Sequence, residues 1–235
     1  WNVMGQRFDI EGNRLGGEFT LDDFRGDKWP NAEDPSIDFD GQGNFVFAWH
    51  SFATDGDDGG WTIWERRYRA DGTPEGPGKR VPTRTKCDQW RPTVMVAANG
   101  DTLVTWYSDR TCGSSVEPTS DIRGRMLDKR GAFKGDEFQI SDEGPQRRLQ
   151  WRQGARNRNG LFVSYWDVEK PALRSFARVL NSRGEPLGPV MSFPDWAVVG
   201  VKGDGRWLGV SGGRGLWYTP SGKRIGPAFS VTGSE

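Results

Sequence analysis

The chain has few of the residues that most metal-binding and redox motifs require. Its 235 residues include two cysteines and one histidine, which excludes a cysteine–histidine zinc site of the usual spacing. Its 32 basic and 32 acidic residues cancel, so the chain has no global positive field to attract nucleic acid. No apolar run approaches the roughly 20 residues that span a bilayer. The sequence therefore predicts neither nucleic-acid binding nor membrane insertion.

Sustained helical periodicity is also lacking, whereas glycine is abundant and regularly placed. Glycine accounts for 33 residues, and the apolar content is only 34% despite 12 tryptophans and 13 phenylalanines. A glycine, three further residues and a second glycine recur along the chain, followed by alternating apolar residues. The glycine pairs are Gly12/Gly16, Gly72/Gly76, Gly131/Gly135, Gly184/Gly188 and Gly222/Gly226. Repeats of this length, each one supersecondary unit, indicate a propeller or a solenoid.

A second phrase, in which glycine precedes an apolar strand that ends in tryptophan, alternates with the first. It occupies residues 43–49, 100–106 and 160–166, and weakly 205–211. One period contains four short strand candidates, which is the blade of a β-propeller. We therefore predict an all-β fold, a β-propeller of four-stranded antiparallel blades, and assign Trp49, Trp106 and Trp166 to packing. A pair of β-sandwiches is the alternative, but it would not require regular self-similarity.

The two phrases predict a single propeller domain over residues 1–235 with about five blade positions. The repeats cover approximately 1–23, 24–83, 84–142, 143–195 and 196–235, and the first is incomplete. An incomplete blade leaves a strand edge open, so we expect that edge to accept a partner chain. The first residue is Trp1 rather than methionine, and a removed secretion signal would account for this.

The repeat also predicts two faces of different character. Short, regular turns lie on one face, whereas the long, irregular loops between strands two and three and between successive blades lie on the other. Functional side chains usually lie on variable loops held by a rigid frame. Cys87 and Cys112 fall in two of these long loops, so we expect a disulfide and an oxidising compartment. Two buried free thiols are the alternative.

Aromatic and basic side chains are concentrated on the long-loop face. Tryptophan beside hydrogen-bonding groups is typical of sugar binding, because its ring stacks on the apolar C–H face of a sugar. The predicted ligand-binding residues are Trp29, Trp61, Trp90, Arg91, Arg147, Arg148 and Trp151. For Trp90 and Trp151, which hold equivalent positions in the repeat, a wedge between neighbouring blades is the alternative.

Three carboxylates, Asp55, Asp57 and Asp58, lie close together on a glycine-rich loop. Oxygen ligands on glycine-permitted turns suit Ca²⁺, although the spacing is not that of an EF-hand. Calcium is therefore the one candidate cofactor, and a solvated acidic turn is the alternative.

No hydrolase motif is visible, and the single histidine, His50, lies inside a repeat strand where packing or surface exposure is expected. The leading hypothesis is a non-catalytic, secreted or surface-exposed propeller that binds a glycan or an extracellular protein through its long-loop face. The alternative is a scaffold subunit of a larger extracellular or periplasmic assembly. A glycoside hydrolase is the third hypothesis, because acidic residues are abundant and a catalytic carboxylate pair needs no local motif.

Two segments resemble the tandem repeats of bacterial secreted and cell-surface proteins. They are residues 43–49, which are similar to a DGxFVVxW strand, and residues 67–76, which are similar to an RxYDxxGxPxGxEF hairpin. The resemblance covers nearly the whole chain but fades after Pro189. It implies a propeller-like array in an extracellular, cell-surface or periplasmic bacterial setting, and it implies no catalytic residues.

Overall fold

A computed structural model of the chain contains five antiparallel β-sheets that form the blades of a β-propeller. It describes residues 2–21, 32–53, 60–84, 86–110, 112, 120–142, 149–150, 154–157, 159–168, 174–193 and 197–231. All regular elements within these ranges are strands. No helix in the described part of the chain is long and apolar enough to cross a membrane. The all-β propeller prediction is confirmed.

The blades follow one another in chain order. The first blade has two described strands, β1 (Met4–Phe8) and β2 (Arg14–Thr20). The second blade contains β3 (Ala32–Phe39), β4 (Phe45–Ala53), β5 (Gly60–Tyr68) and β6 (Lys79–Arg80). The third contains β7 (Gln89–Val96), β8 (Thr102–Asp109), β9 (Ser120–Leu127) and β10 (Phe138–Gln139).

The last two blades keep the same antiparallel order. In the fourth blade, the inner strand is split into β11 (Leu149–Gln150) and β12 (Gly154–Arg156), which both pair with β13 (Phe162–Val168). Its outer strands are β14 (Arg174–Leu180) and β15 (Met191–Phe193). The fifth blade contains β16 (Ala197–Val201), β17 (Trp207–Ser211), β18 (Arg214–Tyr218) and β19 (Arg224–Ser230).

Short turns close the hairpins on one face, which we call the lower face. In the turn between β3 and β4, Asp40 Oδ1 accepts hydrogen bonds from the N–H groups of Gln42 and Asn44 at 2.8 and 3.0 Å. Gly43 follows with a φ of 84°, a conformation that costs glycine little. The loops between strands two and three and the links between blades lie on the opposite, upper face, which carries the candidate site described below.

A tryptophan of strand two fills each interface between blades. Trp49, Trp106 and Trp166 are at most 1% exposed, and each packs in a cluster shared with the preceding blade. In the fifth blade, Trp207 fills the corresponding interface from the other end of strand two. The packing role predicted for the first three tryptophans agrees with this, whereas the fourth was not anticipated.

The first blade covers its neighbour less completely than the other blades do. Ile37 and Phe39 on β3 are each 48% exposed, whereas Val94 and Val96, which hold the same positions on β7, are 4% and 0% exposed. Val46 and Ala48 on β4 and Ile63 on β5 pack against Val94 and Val96 and bury them. Only the outer hairpin β1–β2 lies beside β3 among the described residues, and a cavity of about 270 Å³ remains between them.

The inner strands β3 and β7 begin earlier than the sequence predicts. In the repeat pattern, the candidate strands begin at Pro35 and Pro92. The strands instead begin at Ala32 and Gln89, because each proline lies in a register shift, between Glu33 and Ser36 in β3 and at the equivalent place in β7. A bulge is where a strand tolerates proline.

Candidate active site

The bulges of β3 and β7 place two charged side chains at equivalent positions on the upper face. Asp34 has a φ of 47° and Arg91 has a φ of 52°, and each directly precedes the proline of its bulge. Residues other than glycine seldom adopt this left-handed conformation, and where they do they are often part of a functional site. The Arg91 Nε atom lies 3.7 Å from Asp34 Oδ2.

His50, at the upper end of β4, lies between two carboxylates. Its Nε2 atom is 3.8 Å from Glu33 Oε2, and its Nδ1 atom is 3.8 Å from Asp34 Oδ2. Consecutive residues of a regular strand point to opposite faces of the sheet. The bulge interrupts this alternation, so that Glu33 and Asp34 both approach the same imidazole.

The imidazole is neutral near pH 7. Burial lowers the pKa of His50 below its usual 6.5, and the nearby Asp34 and Glu33 carboxylates, which act in the opposite direction, do not offset this. The backbone N–H of Arg91 donates a hydrogen bond of 3.4 Å to Nδ1. We therefore assign the proton of the neutral ring to Nε2, the nitrogen on the Glu33 side.

The charged groups of the cluster are open to solvent, whereas the histidine is not. The side chains of Glu33, Asp34 and Arg91 are 46%, 49% and 45% exposed, and that of His50 is 5% exposed. Trp61, at the start of β5, contacts the imidazole edge to face with 4.9 Å between ring centroids. Two accessible carboxylates and a guanidinium thus lie beside an aromatic wall.

A cavity of about 400 Å³ lies between the inner strands, and its lining begins at Pro35 and Pro92, the residues that follow Asp34 and Arg91 in the chain. Residues 35–38 of β3, residues 92–95 of β7, and Gly154 and Arg156 line it. Arg156 forms a bidentate ion pair with Asp38, with Nε–Oδ2 and Nη2–Oδ1 distances of 2.7 and 2.9 Å, and so connects β12 to β3. The volume falls within the range of small-molecule sites.

Four of the residues singled out from the sequence take part in the site or its support. Trp61 and Arg91 lie in the cluster, and Cys87 forms a disulfide with Cys112 on the same face. Trp90 is half-buried and lies opposite Tyr107 of β8, without a described contact to His50. The remaining predicted residues lie outside the described part of the chain: Trp29, Arg147, Arg148, Trp151, Asp55, Asp57 and Asp58. Among the described residues, no three acidic, histidine or cysteine side chains are grouped as metal ligands.

The central residues of the cluster were missed from the sequence. Glu33 and Asp34 were not singled out, and His50 was expected to have a packing or surface role. One signal was available, because the residue that follows the strand-two tryptophan differs from blade to blade: His50, Tyr107 and Asp167. The approach of both carboxylates to His50 depends on a bulge that no local sequence rule locates.

Comparison with known proteins supports the fold and changes the functional expectation. No protein-family model and no curated protein matches the chain. Among solved structures, it is similar to the Dos1 propeller (12% identity, TM-score 0.52, 97% of this chain and 54% of that one). It is also similar to a sialidase of Hadza microbial origin (13%, 0.54, 85% and 46%) and to the GH93 α-L-arabinofuranosidase of Fusarium graminearum (9%, 0.50, 88% and 69%).

The prediction of a non-catalytic binding propeller, and with it the prediction that the chain is not an enzyme, is wrong in the light of these comparisons. Three of the similar solved structures, a sialidase, an arabinofuranosidase and an N-acetylgalactosamine deacetylase, are named as carbohydrate-processing enzymes. The physical reason for the error is that acidic residues can be brought together by strand pairing or by a bulge without forming a recognisable sequence motif, so the lack of such a motif does not argue against catalysis. At these identities the likeness itself extends to the fold alone.

Proposed function

We propose that the protein is a glycoside hydrolase whose catalytic carboxylates are Glu33 and Asp34. The observation that carries the proposal is the β3 bulge, which brings two consecutive, half-exposed carboxylates against one buried imidazole. Most glycoside hydrolases use two carboxyl groups that flank the scissile bond. Two of the similar propellers, a sialidase and an arabinofuranosidase, bear the names of glycosidases.

The two carboxylates differ in how firmly they are held, and this suggests their roles. Asp34 has a fixed left-handed backbone, and its carboxylate lies 3.7 Å from Arg91 Nε. We assign it to the carboxylate that attacks the anomeric carbon or activates water, since that group must be accurately placed. Glu33 has the longer side chain and lies on the Nε2 side of His50. We assign it to the acid that protonates the departing glycosidic oxygen.

Trp61 and the cavity between the inner strands provide the means to hold a sugar. The indole lies next to His50, and an aromatic face can stack on the C–H groups of a pyranose or furanose ring. The cavity of about 400 Å³ is large enough for a monosaccharide unit, and Ser36, Thr93 and Asp38 supply polar groups along its wall. A neutral or weakly acidic glycan is the substrate class that this combination suits.

An extracellular, cell-surface or periplasmic setting accompanies this proposal. The Cys87–Cys112 disulfide supports it, because such bonds persist in oxidising compartments. The resemblance of residues 43–49 and 67–76 to repeats of bacterial secreted and cell-surface proteins points the same way. A glycoside hydrolase in this location would act on polymeric or surface glycans.

A glycosidase screen tests the proposal. The purified chain is incubated with aryl glycosides and polysaccharides, including α-L-arabinofuranosides and sialosides, and the release of reducing ends is measured. The double variant Glu33→Gln/Asp34→Asn, prepared in parallel, controls for contaminating hydrolases. We expect turnover of at least one substrate by the wild type and none by the double variant. Equal release by both proteins, or no release on any substrate, would contradict the proposal.

A second proposal concerns the first blade, where Ile37 and Phe39 are exposed although their counterparts in the third blade are buried. We propose that an apolar β-hairpin of a partner chain covers them and pairs with the edge of β1, which would make the protein a subunit of a larger assembly. In the fully packed third blade, β4 and β5 of the preceding blade perform this role, and strand addition at an open edge is a common mode of recognition.

Amide hydrogen exchange tests this second proposal. A synthetic hairpin with the sequence of residues 32–53, which supplies the inner strands of the second blade, is added to the purified chain. We expect slower exchange in Met4–Phe8 and a one-to-one complex in light scattering. The variant Ile37→Ser/Phe39→Ser should abolish both effects. Slow exchange, in the isolated monomer, of the Met4–Phe8 amides that do not bond to β2 would contradict the proposal, because it would mean that the open edge is already protected.

A further inference from the structure

The link between the second and third blades is fixed at two points near the candidate site. The disulfide joins Cys87 in this link to Cys112, which follows β8. The backbone N–H of Asp109, at the end of β8, donates a hydrogen bond of 2.9 Å to the carbonyl of Asp88. Asp88 therefore lies directly after a covalent cross-link and is bonded through its own backbone to the third blade.

The side chain of Asp88 reaches the second blade. Its Oδ1 atom accepts a hydrogen bond of 3.0 Å from the backbone N–H of Trp61, the second residue of β5. A Cβ atom placed on the neighbouring Gly60 would lie 3.0 Å from the same oxygen. A larger residue at position 60 would therefore crowd the hydrogen bond between Asp88 and Trp61. A hydrogen bond to an ionised carboxylate is among the stronger ones in a protein.

Trp61 is in turn the aromatic wall of the cluster. Its ring contacts His50 at 4.9 Å and Phe52 at 5.9 Å, both edge to face. The same link also supplies Arg91, whose N–H bonds to His50 Nδ1. The segment from Cys87 to Arg91, which leads into the third blade, thus contacts the surroundings of His50 in the second blade at two points. Asp88 holds Trp61, which packs against the imidazole, and the Arg91 N–H bonds to Nδ1.

We propose that Asp88 is a positioning residue that holds Trp61 as the sugar-stacking wall, and that the Cys87–Cys112 disulfide holds Asp88 in place. This inference rests on the proposed glycosidase function. Asp88 does not contact Glu33 or Asp34 in any described interaction, so its loss should weaken substrate binding rather than the chemical step. Aromatic stacking contributes about 1 kcal/mol, which corresponds to a roughly five- to tenfold change in binding.

The kinetic test compares Asp88→Ala, Asp88→Asn and Cys87→Ser/Cys112→Ser with the wild type. We expect Asp88→Ala to raise KM about five- to tenfold with kcat changed less than twofold. Asp88→Asn keeps the Oδ1 acceptor and should restore KM to within about twofold, while the serine double variant should resemble Asp88→Ala. A fall in kcat with an unchanged KM, or no rescue by asparagine, would overturn the inference.

A second readout keeps the inference separate from the proposed function. The exchange rate of the Trp61 amide proton, followed by NMR, needs no substrate. It should rise at least tenfold in Asp88→Ala and in the serine double variant, and should remain near the wild-type rate in Asp88→Asn. Unchanged exchange in all variants would overturn the inference even if the protein hydrolyses glycosides. If exchange rises as expected but no glycoside is hydrolysed, the proposed function fails while the Asp88–Trp61 linkage stands.

Discussion

The blades are nearly identical to one another on the lower face of the propeller and differ from one another on the upper face. On the lower face, a single side-chain oxygen accepts two backbone N–H groups in turn after turn, at Asp40, Asp128, Asn157 and Asn181. On the upper face, the residue after the strand-two tryptophan is His50, Tyr107 or Asp167. The repeated positions form the frame, and the departures from the repeat form the candidate site.

The largest expected effect is on stability, from the loss of a repeated tryptophan. Trp106 is 1% exposed and its Nε1–H donates a buried hydrogen bond of 2.7 Å to Gln89 Oε1. Replacing it by alanine leaves a cavity and an unsatisfied acceptor, so Trp106→Ala should lower the free energy of unfolding by about 3–5 kcal/mol. Urea denaturation measures this. Trp61→Ala, on the upper face, should lower the free energy of unfolding by less than half as much. Equal losses for the two variants would contradict the distinction between a tryptophan that packs the blades and one that belongs to the candidate site.

A smaller effect is expected from the turn glycines of the lower face. Gly131 and Gly135 have φ values of 77° and 86°, so alanine at either position should cost roughly 1–2 kcal/mol. A Cβ on Gly131 would also lie 2.9 Å from Cδ of the buried Arg67, whereas nothing lies within 4 Å of a Cβ on Gly135. Gly131→Ala should therefore be the more destabilising in thermal unfolding. If Gly135→Ala were the more destabilising variant, the contact between the Gly131 turn and Arg67 would not limit the residue at position 131.

The smallest expected effect is the pH dependence that His50 contributes. Its pKa is below 6.5 in the folded protein because of burial, so the unfolded chain binds the proton more readily. The free energy of unfolding should therefore decrease as the pH falls below about 6.5. Urea titrations between pH 5 and 8 should give a shallower decrease for His50→Gln, and since this is the only histidine, the difference can be assigned to it. Identical pH profiles would contradict a buried, neutral His50.

The fold was predictable because its determinants are local and repeated. The glycine pairs specify the turns, and the recurrent tryptophans specify the blade interfaces, so strands and packing followed from spacing alone. Trp207 was missed because it is the first residue of its strand, whereas the repeated phrase places the other tryptophans six residues after its glycine. The early start of β3 and β7 was missed because whether a proline ends a strand or sits in a bulge is decided by the neighbouring strand.

The site was only partly predictable because its members come from different blades. Trp61, Arg91 and the disulfide were found from residue type and from the long-loop face. Glu33, Asp34 and His50 were not, since their approach depends on the left-handed backbone at Asp34, and nothing in the composition of residues 32–36 requires it. The functional expectation failed because two consecutive acidic residues are not a recognisable hydrolase motif, and only the bulge in β3 brings both of them to His50.

The most direct test of the account is the turnover number of single carboxylate variants on the best glycoside from the screen. The account predicts that Glu33→Gln and Asp34→Asn each lower kcat by about 10²–10⁴-fold, while both variants keep the wild-type unfolding midpoint. Glu185→Gln, which alters an exposed carboxylate on the lower face, should retain full activity. A kcat within twofold of the wild type for both upper-face variants would contradict the assignment of the active site to the β3 bulge.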